Sequence, residues 1–125
     1  MKTNKLLALC CAVLFPLLAG AQKDTLRVLS VANSFGDDAV VHNLHDLALA
    51  DGHVLIIGNL YIGGCSLERH ARNAKSNAPA YAFRKIDADG NYTNTPKTRM
   101  SAGFADEPWD IVIFQQSSPL SGKME

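Results

Sequence analysis

Cysteine is scarce in this sequence: three in 125 residues, two of them (Cys10 and Cys11) inside an apolar N-terminal stretch. Without that stretch Cys65 is the only thiol, so no intrachain disulfide can form and a disulfide scaffold is excluded. Excess charge of either sign is also missing. Twelve basic groups face twelve acidic ones, which is not the footprint of a nucleic-acid binder. Long apolar runs are absent too. The longest, Leu6 to Leu18, has 13 residues and contains Pro16, against the roughly 20 that a membrane helix needs. No internal repeat and no low-complexity tract stands out, and no cofactor fingerprint is present.

What is present begins with a leader. Lys2 and Lys5, the apolar run and then Ala19-Gly20-Ala21 have the three parts of a secretory signal. Cleavage is expected after Ala21, placing the product outside the cell or in the periplasm. A lipoprotein signal fits poorly, because Leu9 and Cys10 precede the two cysteines where a small residue is needed. Removing Lys2 and Lys5 leaves ten basic and twelve acidic groups in 104 residues, enough for at most one domain.

The mature chain alternates strand and helix patterns. Leu26 to Ala32 is a compact apolar strand, broken by Asn33-Ser34-Phe35-Gly36. A helix follows, with Asp37 or Asp38 as the expected cap. Val40, Val41, Leu44, Leu47 and Ala48 share one face at 100° per residue, the stripe of a helix packed on a sheet. Asp51-Gly52 ends it. His53 to Tyr61 is apolar on both faces around Val54-Leu55-Ile56-Ile57, as a buried parallel strand would be. These pieces make a βαβ unit. Ser66 is placed to cap a helix from Leu67 to about Asn77. Residues 79–108 read as a hairpin, with Asp87-Ala88-Asp89-Gly90 as its turn, plus a short helix over Lys97–Phe104. Trp109 to Phe114 predicts a third buried strand that runs into Gln115-Gln116-Ser117-Ser118. The fold class is α/β.

In open parallel sheets ligands bind beyond the carboxyl ends of the strands. Three such ends carry Asn33-Ser34, Gly63-Gly64 and Gln115-Gln116. They bring a hydroxyl, flexible backbone amides and side-chain amides to one rim. Acyl transfer uses that combination: a serine attacks, and prepositioned N–H donors stabilise the charge that develops on the carbonyl oxygen.

The block Val28-Leu29-Ser30-Val31-Ala32-Asn33-Ser34-Phe35 resembles the first block of SGNH (GDSL-type) hydrolases, in which Gly-Asp-Ser or Gly-Asn-Ser follows the first strand. The wider match runs through Gly58 to His70 and Trp109 to Ser118. It resembles an SGNH-like branch of secreted bacterial proteins grouped as a domain of unknown function. The resemblance implies a three-layer α/β/α fold with a mostly parallel sheet of flavodoxin-like topology, of which residues 22–125 form the N-terminal portion. It also implies Ser34 as nucleophile, with the Ser34 and Gly64 amides as oxyanion donors. Gln116 or Gln115 stands where the family has a donor Asn. Ala32 replaces the block's first Gly. The late Asp-x-x-His block that holds the family's base and its partner has no counterpart here, and serine needs an adjacent base. The expected function is a secreted ester hydrolase acting on a small-molecule or glycan ester, its base missing from this chain. The alternative is a non-catalytic glycan or small-ligand binder on the same rim, or an inactive truncated product.

Each residue also has a plainer reading. Ser34 can cap the following helix, Gly63-Gly64 can be a tight turn, and Gln115 and Gln116 can bond loop backbone. His42 and His45 lie on the helix's solvated face at metal-ligand spacing, but only Asp46 accompanies them, so no metal is expected. Cys65 beside His70 can form a nucleophile pair, or Cys65 can be a small buried residue. Nothing in the sequence fixes the orientation of His70. Tyr81, Phe83 and Tyr92 can line a cleft or cover a sheet edge.

Overall fold

A computed structural model describes residues 24–122, the side chains of residues 38 and 39 excepted. The expected leader, residues 1–21, lies outside the described residues. In chain order the elements are β1 (Thr25–Ala32), α1 (Ser34–Gly36), α2 (Asp37–Leu44), α3 (His45–Ala50) and β2 (Val54–Tyr61). Then come α4 (Leu67–Ser76), β3 (Tyr81–Ile86), β4 (Tyr92–Thr98), α5 (Met100–Asp106), β5 (Ile111–Phe114) and a 3₁₀ turn at Ser118–Leu120. No helix among the described residues is long and apolar enough to cross a membrane.

The strands form one open five-stranded sheet in the order β4-β3-β2-β1-β5. β1 pairs parallel with β2 and β5, whereas β2–β3 and β3–β4 are antiparallel. The sheet is therefore mixed rather than mostly parallel. After the ten residues of α4, β3 begins beside the end of β2, with Ala82 opposite Tyr61. The hairpin then extends the sheet outward. Its turn is held by the Asp87 carboxylate, which accepts the Asp89 and Asn91 amides at 2.9 Å each, and by Gly90 at φ +85°.

Helices cover both faces. Leu29, Val31, Leu60, Tyr81, Phe83 and Met100 form the buried core on one side. There α5 and Trp109 pack closely: a Cβ on Gly103 would come within 2.7 Å of Leu60, and one on Gly58 within 2.6 Å of Trp109. Tyr81 and Phe83 thus belong to the core, while Tyr92 stays exposed. On the opposite face Ala32, Ser30 and Asn59 lie beneath α1 and α2.

Two sequence expectations fail here. The helical stripe holds at Val40, Val41, Leu44 and Ala48, which are buried or half-buried, but Leu47 is 67% exposed and His45 only 6%. α2 is wound as a π-helix over its eight residues. Hydrogen bonds from i to i+5 turn fewer degrees per residue than an α-helix, so the face that reaches the sheet shifts away from Leu47 and onto His45. His45 is accordingly buried against Gly90 rather than solvated. β5 is the second failure. Its residues Ile111, Val112, Ile113 and Phe114 are 39–52% exposed, because β5 is the sheet edge and an apolar run reads alike whether or not anything covers it. The short helix also starts later than predicted, at Met100.

Candidate active site

The site is built around Asn33. β1 ends at Ala32, and Asn33 caps the helix: its side-chain oxygen accepts the Phe35 amide at 3.2 Å, while its backbone oxygen accepts the Gly36 and Asp37 amides. The cap is thus neither Asp37 nor Asp38. Ser34 is the first helical residue and is freed from the capping role. Asp37 instead pairs with Arg84 and accepts from Asn59 Nδ2 at 3.2 Å, below the helix.

Asn33 is also a tie between loops. Its Nδ2 donates to the Cys65 carbonyl at 3.3 Å and to the Gln116 carbonyl at 3.2 Å, and the residue is 2% exposed. One carboxamide therefore links the segments following β1, β2 and β5. The sheet ladder helps, continuing past the strands through Ile62 N–H to Ala32 O and Gln115 N–H to Val31 O, each at 3.2 Å. Sequence reasoning noted Asn33 only as part of an Asn-Ser pair. The signal that identifies it is its place between a strand and a helix, where asparagine is among the strongest caps.

Around this tie stand the predicted residues. Ser34 is exposed, and as the first amide of a helix its N–H has no intrahelical acceptor. Gly64 is exposed at φ +60°, with open space where a side chain would be. The turn is closed by the Cys65 amide donating to Ile62 O at 3.3 Å. Gln116 is held by its side-chain oxygen, which accepts the Leu67 amide at 3.0 Å and the Ser117 amide at 2.9 Å. That leaves its amide nitrogen to donate. Gln115 points the other way. Its side-chain oxygen is buried under Gly36 and Ser30 without a partner among the described residues, as strand alternation requires. Gln115 lies below the helix, not on the rim. Ala32 is accommodated by Gly36, where a Cβ would sit 2.4 Å from the Ala32 methyl.

No histidine among the described residues pairs with Ser34. His42 lies 3.7 Å from Asp37, His45 3.3 Å from Asp46 and His53 3.5 Å from Asp51. His70, whose orientation the sequence left open, is fixed: Nδ1 lies 3.1 Å from the Tyr81 hydroxyl and 3.6 Å from Cys65 Sγ. It is fully buried, which removes it as a base for the rim. Burial also pushes the Cys65 thiol and the Tyr81 phenol up and the imidazole down, so Cys65 is no ready nucleophile. His42, His45 and Asp46 border a cleft of about 400 Å³ with Gly90 and Tyr92, beside the β3–β4 hairpin. No group of three such side chains among the described residues is arranged to hold a metal ion.

The family model for a domain of unknown function, DUF4886, matches residues 27–125. No curated protein matches the chain. Among solved structures, the chain is similar to a DUF4886 family protein from Bacteroides uniformis ATCC 8492, at 54% identity and a TM-score of 0.77. The alignment covers 79% of this chain and 38% of that one, so this chain spans well under half the length of the relative it matches.

Proposed function

The chain belongs to the DUF4886 family, and from that premise and the geometry of the rim we propose that it carries the nucleophile side of a secreted, SGNH-like ester hydrolase. Ser34 attacks the carbonyl of a small-molecule or glycan ester. The Ser34 and Gly64 amides, with the Gln116 amide as third donor, receive the oxyanion. A base from outside the 125 residues takes the Ser34 proton and delivers it to the leaving alcohol. The acyl-enzyme is then opened by water. One observation supports this reading: the Asn33 carboxamide ties together the three strand-end loops that carry Ser34, Gly64 and Gln116.

The test is acetyl-ester turnover and fluorophosphonate labelling in a longer family protein that contains this segment, with Ser34 substituted by alanine. The expected result is loss of both turnover and label. Unchanged turnover removes Ser34 from the mechanism. A second reading is glycan binding without catalysis on the same rim: the contacts of the four histidines run to Asp37, Asp46, Asp51 and Tyr81 rather than to Ser34. Ligand binding without labelling supports it.

A further inference from the structure

Beneath the Gly63–Gly64 turn lies a polar cluster that the mechanism above does not use. Cys65, His70 and Tyr81 are each at most 2% exposed. They come from three different segments: the loop after β2, helix α4 and strand β3. The imidazole and phenol rings stack at 5.7 Å and 12°, and Nδ1 faces both the Tyr81 hydroxyl and the Cys65 sulfur. Nε2 is buried with no partner among the described residues.

Such an arrangement is costly, because an unpaired buried polar atom forfeits its hydration. A leucine at position 70 would avoid that penalty and would fill a similar volume. What the imidazole adds is direction. Its partner Cys65 is the residue whose amide closes the glycine turn onto Ile62 and whose carbonyl receives Asn33. Sγ is thus the third fixed point of that residue.

We propose that His70 is a positioning residue: held by the Tyr81 hydroxyl, its Nδ1 anchors the Cys65 thiol and thereby sets the Gly63–Gly64 turn that serves the rim. Only the use of the Gly64 amide rests on the hydrolase reading; the anchoring does not. The anchor requires neutral imidazole. With Nδ1 unprotonated, its single lone pair is shared between the Tyr81 hydroxyl at 3.1 Å and the Cys65 thiol at 3.6 Å, the thiol also facing the Ser66 carbonyl; a proton on Nδ1 makes it a donor and reverses this shared contact. The groups that act on it are Cys65 from the loop, Tyr81 from β3 and the Arg69 guanidinium on its own helix.

The test uses isotope-labelled 125-residue protein and two readouts. Tyr81→Phe keeps the ring and removes the hydroxyl. The Cys65 amide should then exchange about five- to tenfold faster, the equivalent of one lost hydrogen bond, while the Leu60 amide in β2 is unchanged. In the unsubstituted protein, the Gly64 amide shift should follow the His70 imidazole titration, with Gly103 as a stationary control. His70→Asn, which keeps a polar atom near Nδ1, should preserve the Gly64 shift better than His70→Leu. The proposal is overturned if Cys65 exchange is unchanged in Tyr81→Phe, or if Gly64 stays still while His70 ionises. Because neither readout involves turnover, an inactive protein with a coupled Gly64 rejects the hydrolase reading and keeps the anchor.

Discussion

Replacing Asn33 separates its two jobs, and the structure gives a magnitude for each. Asn33→Ala removes three hydrogen bonds at once: the cap to the Phe35 amide and the two donations to the Cys65 and Gln116 carbonyls. Loss of an Asn cap costs about 1 kcal/mol. Each remaining bond contributes about 0.5–1.5 kcal/mol net, and the Cys65 contact is buried, so its unpaired carbonyl falls at the upper end. The sum is about 2–4 kcal/mol. In a domain of this size that lowers the melting temperature by roughly 10–20 °C. Asn33→Asp keeps the cap oxygen but places a carboxylate oxygen against two carbonyls. Burial and repulsion raise the pKa of the introduced group above its unfolded value. The variant should therefore be most stable below about pH 4, and lose that stability as pH rises through the folded value. Urea denaturation from pH 4 to 8 checks both variants. An Asn33→Ala protein within about 0.5 kcal/mol of the parent, the range of an ordinary surface change, or an Asn33→Asp protein without that pH trend, refutes the tie.

Two further outcomes follow from packing and protonation. Gly36→Ala places a methyl 2.4 Å from Ala32 Cβ and should destabilise by about 1–3 kcal/mol, read by thermal unfolding; pairing it with Ala32→Gly should recover part of the loss. Burial holds the His70 imidazole below its ordinary value. Its contribution to stability should be complete above about pH 6.5 and decline as the pH falls toward the folded pKa, since the unfolded chain binds the extra proton there. Urea midpoints across pH 5–8 should slope less in His70→Gln than in the parent.

Much of the architecture was legible from local chemistry. The apolar runs at Leu26 to Ala32 and His53 to Tyr61, the Asp-Gly turn of the hairpin and the Ser66 cap each found their place, the last with Ser66 Oγ accepting the Arg69 amide at 3.2 Å. What the sequence did not disclose depends on long-range geometry. Period counting assumes 3.6 residues per turn, so it could not follow a π-wound segment that brings His45 inward. Strand direction depends on which neighbour a strand pairs with and in which sense, which β-propensity does not encode. At the candidate site, the three strand-end motifs were readable, but the side chain that joins them was not. Asn33 bonds residues 32 and 83 positions away, and no local pattern reports such a contact.

The position of β5 has a consequence for how the chain assembles during synthesis. Val28 pairs with Ile111, 83 residues later, whereas every other strand pairing joins nearer segments. At about 5–20 residues per second, β1 leaves the ribosome roughly 4–17 s before its second neighbour exists. During that interval β1 and β2 can pair, and the hairpin can add to β2, but the far edge of β1 remains open. Non-local pairings form late because their loop-closure entropy must be met first. β5 is therefore the last of the described strands to join, and Asn33 cannot complete its bond to Gln116 until it does.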